Sequence, residues 1–147
     1  MAAPVIGSTA RTGAAPVPVA AFDLLATARR GCAEAATART AAERYTAAHL
    51  SALRAAAAVL AARARPAGRR VGPRSVWVLL PQVAPELGEW AAFFAASAAK
   101  RAAAEAGLPA AVTPREADDL LRDAATFLAL VEATLGVPHQ PAFPLVG

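Results

Sequence analysis

Three features of the sequence predict an all-α protein folded as an antiparallel four-helix bundle. About three residues in ten are Ala, the strongest intrinsic helix former. Apolar residues recur at three- and four-residue spacing, as in helices that bury one face. Capping residues, Gly and Pro separate these periodic segments. A chain of 147 residues has the usual length of one domain and can bury a real core.

We expect three parts in the chain: a disordered arm over residues 1–20, a helical bundle over 21–137, and an irregular tail over 138–147. The arm is rich in Ala, Pro and Gly, carries one charge (Arg11), and shows no helical or strand period. The tail contains three prolines. The bundle should therefore hold all the regular structure.

Helix one is predicted at about Phe22–Ala36, with Phe22, Leu25, Ala26 and Ala33 close to one apolar face. Gly31 lies inside this helix and weakens it by about 1 kcal/mol relative to Ala. We therefore expect either close packing or local fraying at Gly31.

Helix two is predicted over Thr40–Ala64, about 37 Å long at the usual rise per residue. It opens with a capping box, because Thr40 and Glu43 can each accept a hydrogen bond from the other's backbone amide. Pro66 ends it. Its many small apolar residues should allow neighbouring helices to approach closely.

The segment Ser75–Leu80 (SVWVLL) has the composition of a strand, but no partner strand is recognisable elsewhere. We therefore expect a short helical segment, followed by a bend at Pro81 and Pro85. Helix three should begin at Pro85, where the first turn tolerates proline, and run to about Ala106. Its apolar stripe contains Leu87, Trp90, Ala91, Phe94 and Ala98.

Helix four should begin with a second capping box, formed by Thr113 and Glu116, and end at Gly136. Its broad apolar face contains Ala117, Leu120, Leu121, Ala124, Phe127, Leu128, Val131 and Leu135. The opposite, polar side is predicted to carry Asp118, Arg122 and Glu132.

Charge is divided unevenly along the chain. Residues 1–75 carry a net charge of +8, and residues 76–147 carry −4. This asymmetry fits nucleic-acid binding by the first half, and equally fits packing of oppositely charged halves on each other or on a partner. The candidate nucleic-acid-binding residues lie at the end of helix two and in the basic loop after it: Arg63, Arg65, Arg69, Arg70 and Arg74. Aromatic residues do not interleave with these arginines.

Composition argues against several classes of protein. The longest unbroken apolar run, Ala55–Ala62, has eight residues, well short of the ~20 that span a bilayer. We therefore expect a soluble cytoplasmic protein without a membrane partner. The single Cys32 allows no disulfide framework, and two histidines are too few for a recognisable zinc site. We expect neither a metal nor a cofactor.

The most suggestive string for chemistry lies on helix two, where Arg44 precedes His49 by five positions. A helical wheel places His49 within the apolar stripe and Arg44 about 140° away, on the solvent side. One hypothesis is that His49 is a buried histidine that binds a backbone carbonyl or Tyr45. The other makes His49 a general acid or base and Arg44 a phosphate-binding cation, with a symmetric dimer bringing one chain's Arg to the other's His.

The string from Glu43 to Leu60, ERYTAAHLSALRAAAAVL, within this helical layout resembles the HEPN superfamily (higher eukaryotes and prokaryotes nucleotide-binding), in particular a small actinobacterial branch. The segments Val76–Pro81 and Glu89–Phe94 are similar as well, so the likeness covers about Ala21–Gly136. The resemblance implies an α-helical, often dimeric protein. Many members are metal-independent endoribonucleases of toxin–antitoxin, defence or RNA-processing systems, and others bind nucleotides, RNA or proteins without catalysis.

The resemblance also implies a nuclease signature of an Arg followed four to six residues later by a His, which Arg44 and His49 satisfy. His49 would then manage the proton of an attacking ribose 2′-hydroxyl, and Arg44 would stabilise charge on the phosphate. Active members usually place a polar residue after the Arg, whereas Tyr45 stands here, and their motif lies near the start of the last helix. We therefore expect a non-catalytic module that binds RNA, a nucleotide or a protein. The alternatives are the ribonuclease and a purely structural, partner-binding helical protein.

Overall fold

The computed structural model describes residues 16–63, 73–108 and 110–138. Within these ranges it contains five α-helices, one 3-10 turn and no strand. The helices are α1 (Val19–Ala36), α2 (Ala41–Arg63), α3 (Pro73–Val83), α4 (Gly88–Glu105) and α5 (Pro114–Leu135), with the 3-10 turn at Pro85–Leu87. The predicted all-α class is confirmed. Residues 1–15 of the predicted arm and residues 139–147 of the predicted tail lie outside the described residues.

The described residues contain one helix more than the four we predicted, because the short segment before Pro81 belongs to the 11-residue helix α3. Pro73 suits the first position of a helix, where its missing N–H has no intrahelical partner to lose. Pro81 lies in the last turn of α3, so the helix loses one hydrogen bond and ends two residues later, at Val83.

Both predicted capping boxes are confirmed. The amide of Glu43 donates to Thr40 Oγ1 (3.0 Å), and the amide of Thr40 donates to the Glu43 carboxylate (3.3 Å). Thr113 and Glu116 make the same reciprocal pair at the start of α5. Gly136 ends α5 with a φ of 70°, a left-handed conformation that glycine adopts without steric cost.

Helix α1 is rotated relative to the prediction. Leu25 is buried as expected, but Phe22 is 46% exposed. The buried face consists mainly of small residues: Ala21, Leu25, Ala28, Gly31, Cys32 and Ala35. Gly31 lies against α2, where an added Cβ would come within 2.3 Å of Ser51 Oγ. Close packing, and not fraying, is therefore the reason for Gly31.

Helix α2 is the centre of the fold and packs against each of the other four helices. The contacts of Gly31 with Ser51 and of Ala35 with Arg44 show that α1 runs antiparallel to α2. Five alanines of α2 are fully buried: Ala48, Ala52, Ala55, Ala56 and Ala58. Their short side chains allow four neighbours to approach one helix.

An aromatic cluster joins α3, α4 and α5. Trp77, Trp90 and Phe127 all pack around Phe94, with ring centroids 5.2–6.0 Å from it. Phe94 and Phe127 are completely buried. Aromatic pairs in such arrangements add to the stability that apolar burial provides. The predicted inward position of Trp90 is therefore supported by its contacts.

The predicted polar side of α5 is wrong at Glu132, whose side chain is completely buried. Its carboxylate accepts a hydrogen bond from Arg29 of α1 over 2.7 Å. The burial of a carboxylate at such a depth is costly without a partner. The pairing with Arg29, on a distant part of the chain, provides that partner.

Candidate functional site

Arg44 lies in the first turn of α2 and connects three parts of the structure. Its Nε and one Nη donate to the carbonyl oxygens of Ala35 (3.3 Å) and Ala38 (3.1 Å) at the end of α1. The other Nη donates to Asp118 of α5 over 2.8 Å. Carbonyls at a helix end lack intrahelical partners and favour a cation, so Arg44 caps α1. Its side chain is only 21% exposed, although the helical wheel placed it on the solvent side.

His49 lies one turn further along α2 and is 1% exposed. Its Nε2 donates to the backbone oxygen of Phe94 over 3.0 Å, since a carbonyl oxygen can only accept. Its ring lies edge-on to those of Trp77 and Phe94. Burial lowers the pKa of His49, which the bond to the Phe94 carbonyl only partly offsets, and the charge of Arg101 lowers the pKa further. The folded protein therefore favours the neutral form of His49.

The structure does not bring Arg44 and His49 together. Within the described part of the chain, no hydrogen bond or ion pair joins the two side chains. Arg44 contacts α1 and α5, whereas His49 contacts α3 and α4, because five positions on a helix separate side chains by a wide angle. Arg44 and His49 are thus close in sequence, but their side chains do not meet within one chain.

A groove of about 830 Å³ lies beside His49, between α2, α3 and α4. His49 and Leu53 of α2 and Trp77 of α3 contribute to its lining. One wall consists of six alanines of α4: Ala91, Ala92, Ala95, Ala98, Ala99 and Ala102. The groove exists because methyl groups leave open the space that larger side chains on α4 would fill.

Arg101, near the end of α4, also lines this groove. One of its Nη atoms donates to Glu105 over 2.9 Å, and its Nε is buried without a hydrogen-bond partner. Arg101 is thus the arginine that the structure places in one groove with His49. Sequence reasoning missed it, although one signal was available: the alanines of α4 recur at helical spacing on both sides of this arginine.

The structure describes only some of the arginines that were predicted to bind nucleic acid. Arg63, at the end of α2, donates to the carbonyl oxygen of Val83 and to the Glu86 carboxylate, both over 3.1 Å. The side chain of Arg74, in α3, and the whole of Arg65, Arg69 and Arg70 lie outside the described residues. Arg63 therefore ties α2 to the 3-10 turn.

No group of three or more His, Cys, Asp or Glu side chains is arranged to hold a metal ion in the ranges 16–63, 73–108 and 110–138. In the same ranges, none of the helices is both long and apolar enough to cross a membrane.

Comparison with known protein families identifies the class. The model of the SAV_6107-like HEPN family matches residues 35–132, which is more than half of the 147-residue chain. The chain belongs to this HEPN family. The matched range begins at the end of α1, covers α2 to α4 and ends in the last turn of α5, at Glu132; it includes Arg44, His49 and the groove. Searches among curated proteins and among solved structures found no match.

Proposed function

We propose that this chain is a non-catalytic HEPN domain that binds RNA or a nucleotide. The observation that carries the proposal is the set of hydrogen bonds made by Arg44, which uses its guanidinium to join α1, α2 and α5. An arginine that stabilises a phosphate during cleavage has to face the substrate beside the catalytic histidine. Arg44 is instead occupied within the fold, and His49 is buried on another side of α2.

The positive charge of the first half supports the choice of ligand. Residues 1–75 carry a net charge of +8, and a phosphate backbone binds such a segment by releasing counterions. The proposed contact residues are the five predicted arginines: Arg63, Arg65, Arg69, Arg70 and Arg74. Arg63 would exchange its exposed ion pair with Glu86 for a phosphate. The proposed setting is the cytoplasm, in a stress, defence or toxin–antitoxin system.

Incubation of the wild-type chain with labelled single-stranded RNA and a metal chelator tests the absence of catalysis. We expect the RNA to remain intact. Cleavage that is lost in a folded His49→Gln variant would overturn the proposal and establish the ribonuclease alternative.

Binding is tested by titrating the same RNA at several salt concentrations. We expect affinity to fall steeply with salt, and the double variant Arg69→Gln/Arg70→Gln to reduce the slope of log affinity against log salt by about 1.4. The matched control is Arg115→Gln/Arg122→Gln, which removes two exposed arginines from α5. Equal effects of the two double variants would contradict the assigned contact segment, and a failure to bind RNA or AMP would contradict the ligand class.

A second candidate function, binding of a protein partner or a second copy, is favoured by the outer side of α4. Phe93 is 42% exposed, Ala96 is exposed, and the helix carries no charge from Trp90 to Ala99. An uncharged helix face with an exposed aromatic residue is a typical protein contact. Solution mass tests this: Phe93→Glu should convert a homodimer to a monomer, and a wild-type monomer at all concentrations would rule the homodimer out.

A further inference from the structure

Two residues that line the groove between α2, α3 and α4 each carry a buried polar atom without a hydrogen-bond partner. In the described part of the chain, His49 Nδ1 and Arg101 Nε are the buried side-chain nitrogen or oxygen atoms that make no hydrogen bond. Both residues line this one groove. Nearly all buried polar groups in proteins are paired, and an unpaired one costs free energy. The coincidence of both residues at one groove therefore points to a ligand that pairs with these atoms.

The two atoms have opposite hydrogen-bonding roles. His49 Nε2 carries the ring proton, because it donates to the Phe94 carbonyl oxygen, so Nδ1 presents a lone pair and accepts. Arg101 Nε always carries a proton and donates. A complementary ligand needs one N–H or O–H group for His49 and one oxygen acceptor for Arg101.

Charge favours a neutral ligand over an anion. The positive charge of Arg101 is already paired with Glu105 over 2.9 Å. The lone pair of His49 Nδ1 would repel a carboxylate oxygen, which brings no proton of its own. An amide, or a hydroxyl group next to a carbonyl group, supplies both the donor and the acceptor.

The walls define the rest of the ligand. A volume of about 830 Å³ lies within the ordinary range of small-molecule sites, and the lining is mostly apolar. Leu53, the ring of Trp77 and the methyl groups of α4 offer surface to hydrocarbon, and His49, Arg101 and the Trp77 indole N–H are the polar side-chain groups of the lining. We propose that this groove binds a small, neutral, mostly apolar molecule that carries one hydrogen-bond donor and one carbonyl oxygen. This proposal does not depend on RNA binding.

Benzamide, benzoate and toluene form a probe series that tests the recognition. Benzamide offers a donor and an acceptor, benzoate only acceptors, and toluene neither. Titration of each into the ¹⁵N-labelled full chain at pH 7.5, followed by NMR, should show benzamide shifting the Trp77 indole and Arg101 Nε signals. We expect benzamide to bind about tenfold more tightly than either of the others, since they leave buried groups unpaired. Equal affinity for benzamide and toluene would overturn the polar recognition.

Matched variants of α4 test the location. Ala95 and Ala96 are neighbouring exposed alanines, but only Ala95 lines the groove. Ala95→Leu should weaken benzamide binding at least tenfold, while Ala96→Leu should leave it unchanged. Equal binding by the two variants would overturn the assignment, and so would the absence of groove shifts with every probe.

Arg101→Met tests the donor without altering His49, whose replacement could disturb the core. This variant should bind benzamide as weakly as toluene and leave toluene binding unchanged. Unaltered benzamide affinity would remove Arg101 from the site. The wild type could also form a dimer that Ala95→Leu dissociates, without binding benzamide. That result would show that a second copy occupies the groove, and it would overturn the ligand proposal. RNA binding by the wild type is measured separately, so its success or failure leaves these outcomes unaffected.

Discussion

Arg101 and His49 line the same groove although they lie on different helices, α4 and α2. Arg44, only five positions from His49 along the chain, instead contacts α1 and α5. This arrangement follows from helix geometry, because a five-residue step turns the side chain to another side of the helix. The arginine that shares the groove with His49 therefore comes from α4, and Arg44 acts within the fold.

Arg44→Met should destabilise the protein by about 2–3 kcal/mol, because it removes a side chain that satisfies two backbone carbonyls and one carboxylate. Asp118→Asn should cost less than about 1 kcal/mol, since Asp118 is 59% exposed and water screens its ion pair. Urea unfolding measures both. The control is Arg115→Met, which alters a side chain that is 91% exposed. An Arg44 variant as stable as this control would contradict a structural role.

The stability of the wild type should fall as pH drops below about 6.5, the usual pKa of histidine. Burial lowers the pKa of His49 in the folded protein, so the unfolded chain binds the proton more readily and acid favours unfolding. The contribution is complete above pH 6.5 and is lost as pH falls toward the folded pKa, with a slope of at most about 1.4 kcal/mol per pH unit.

Urea midpoints between pH 5 and pH 7.5 measure this dependence. His49→Gln keeps a donor for the Phe94 carbonyl but cannot titrate, so its profile should be flatter in this range. His139 is present in both proteins and cancels in the comparison. Parallel profiles for the two proteins would show that His49 does not titrate as a buried group.

Gly31 and Ser51 should show strong coupling in a double-mutant cycle. Gly31→Ala alone places a Cβ 2.3 Å from Ser51 Oγ, so the hydroxyl has to leave its hydrogen bond to the Ala47 carbonyl. In a Ser51→Ala background the clash is absent, and Gly31→Ala should stabilise the protein by up to about 1 kcal/mol through helix propensity. Thermal and urea unfolding of the four proteins give the coupling energy. The same effect of Gly31→Ala in both backgrounds would show that the contact does not constrain the helices.

Thr113→Ala should cost about 1 kcal/mol, because it removes the side chain that accepts from the Glu116 amide at the start of α5. Thr126→Ala is the matched control within the same helix. Its hydroxyl bonds only to the carbonyl of the preceding turn, so its loss should change stability by less than about 0.5 kcal/mol. Equal effects at the two positions would argue that the cap does not limit the stability of α5.

Local sequence patterns predicted the helices well, because the interactions that start and end a helix join residues close together in the sequence. Thr40 with Glu43, and Thr113 with Glu116, mark helix starts through bonds between residues three positions apart. The apolar face of α5 followed from its spacing alone, apart from Glu132. The length of α3 was underestimated, because Pro81 suggested an end that the helix passes by two residues.

Only the tertiary contact with Ser51 decided between close packing and fraying at Gly31. The sequence by itself determined the all-α class and the position of His49 in the apolar stripe of α2. Each depends on residues within a few turns of one helix. Tertiary structure alone decided the roles of the charged residues: Arg29 pairs with buried Glu132, Arg44 caps α1, and Arg101 comes to lie in the groove with His49. A charged side chain takes its role from the partner it meets in space, and here those partners lie on other helices. The groove also results from tertiary packing, because the alanines of α4 line a cavity only where α2 and α3 lie opposite them.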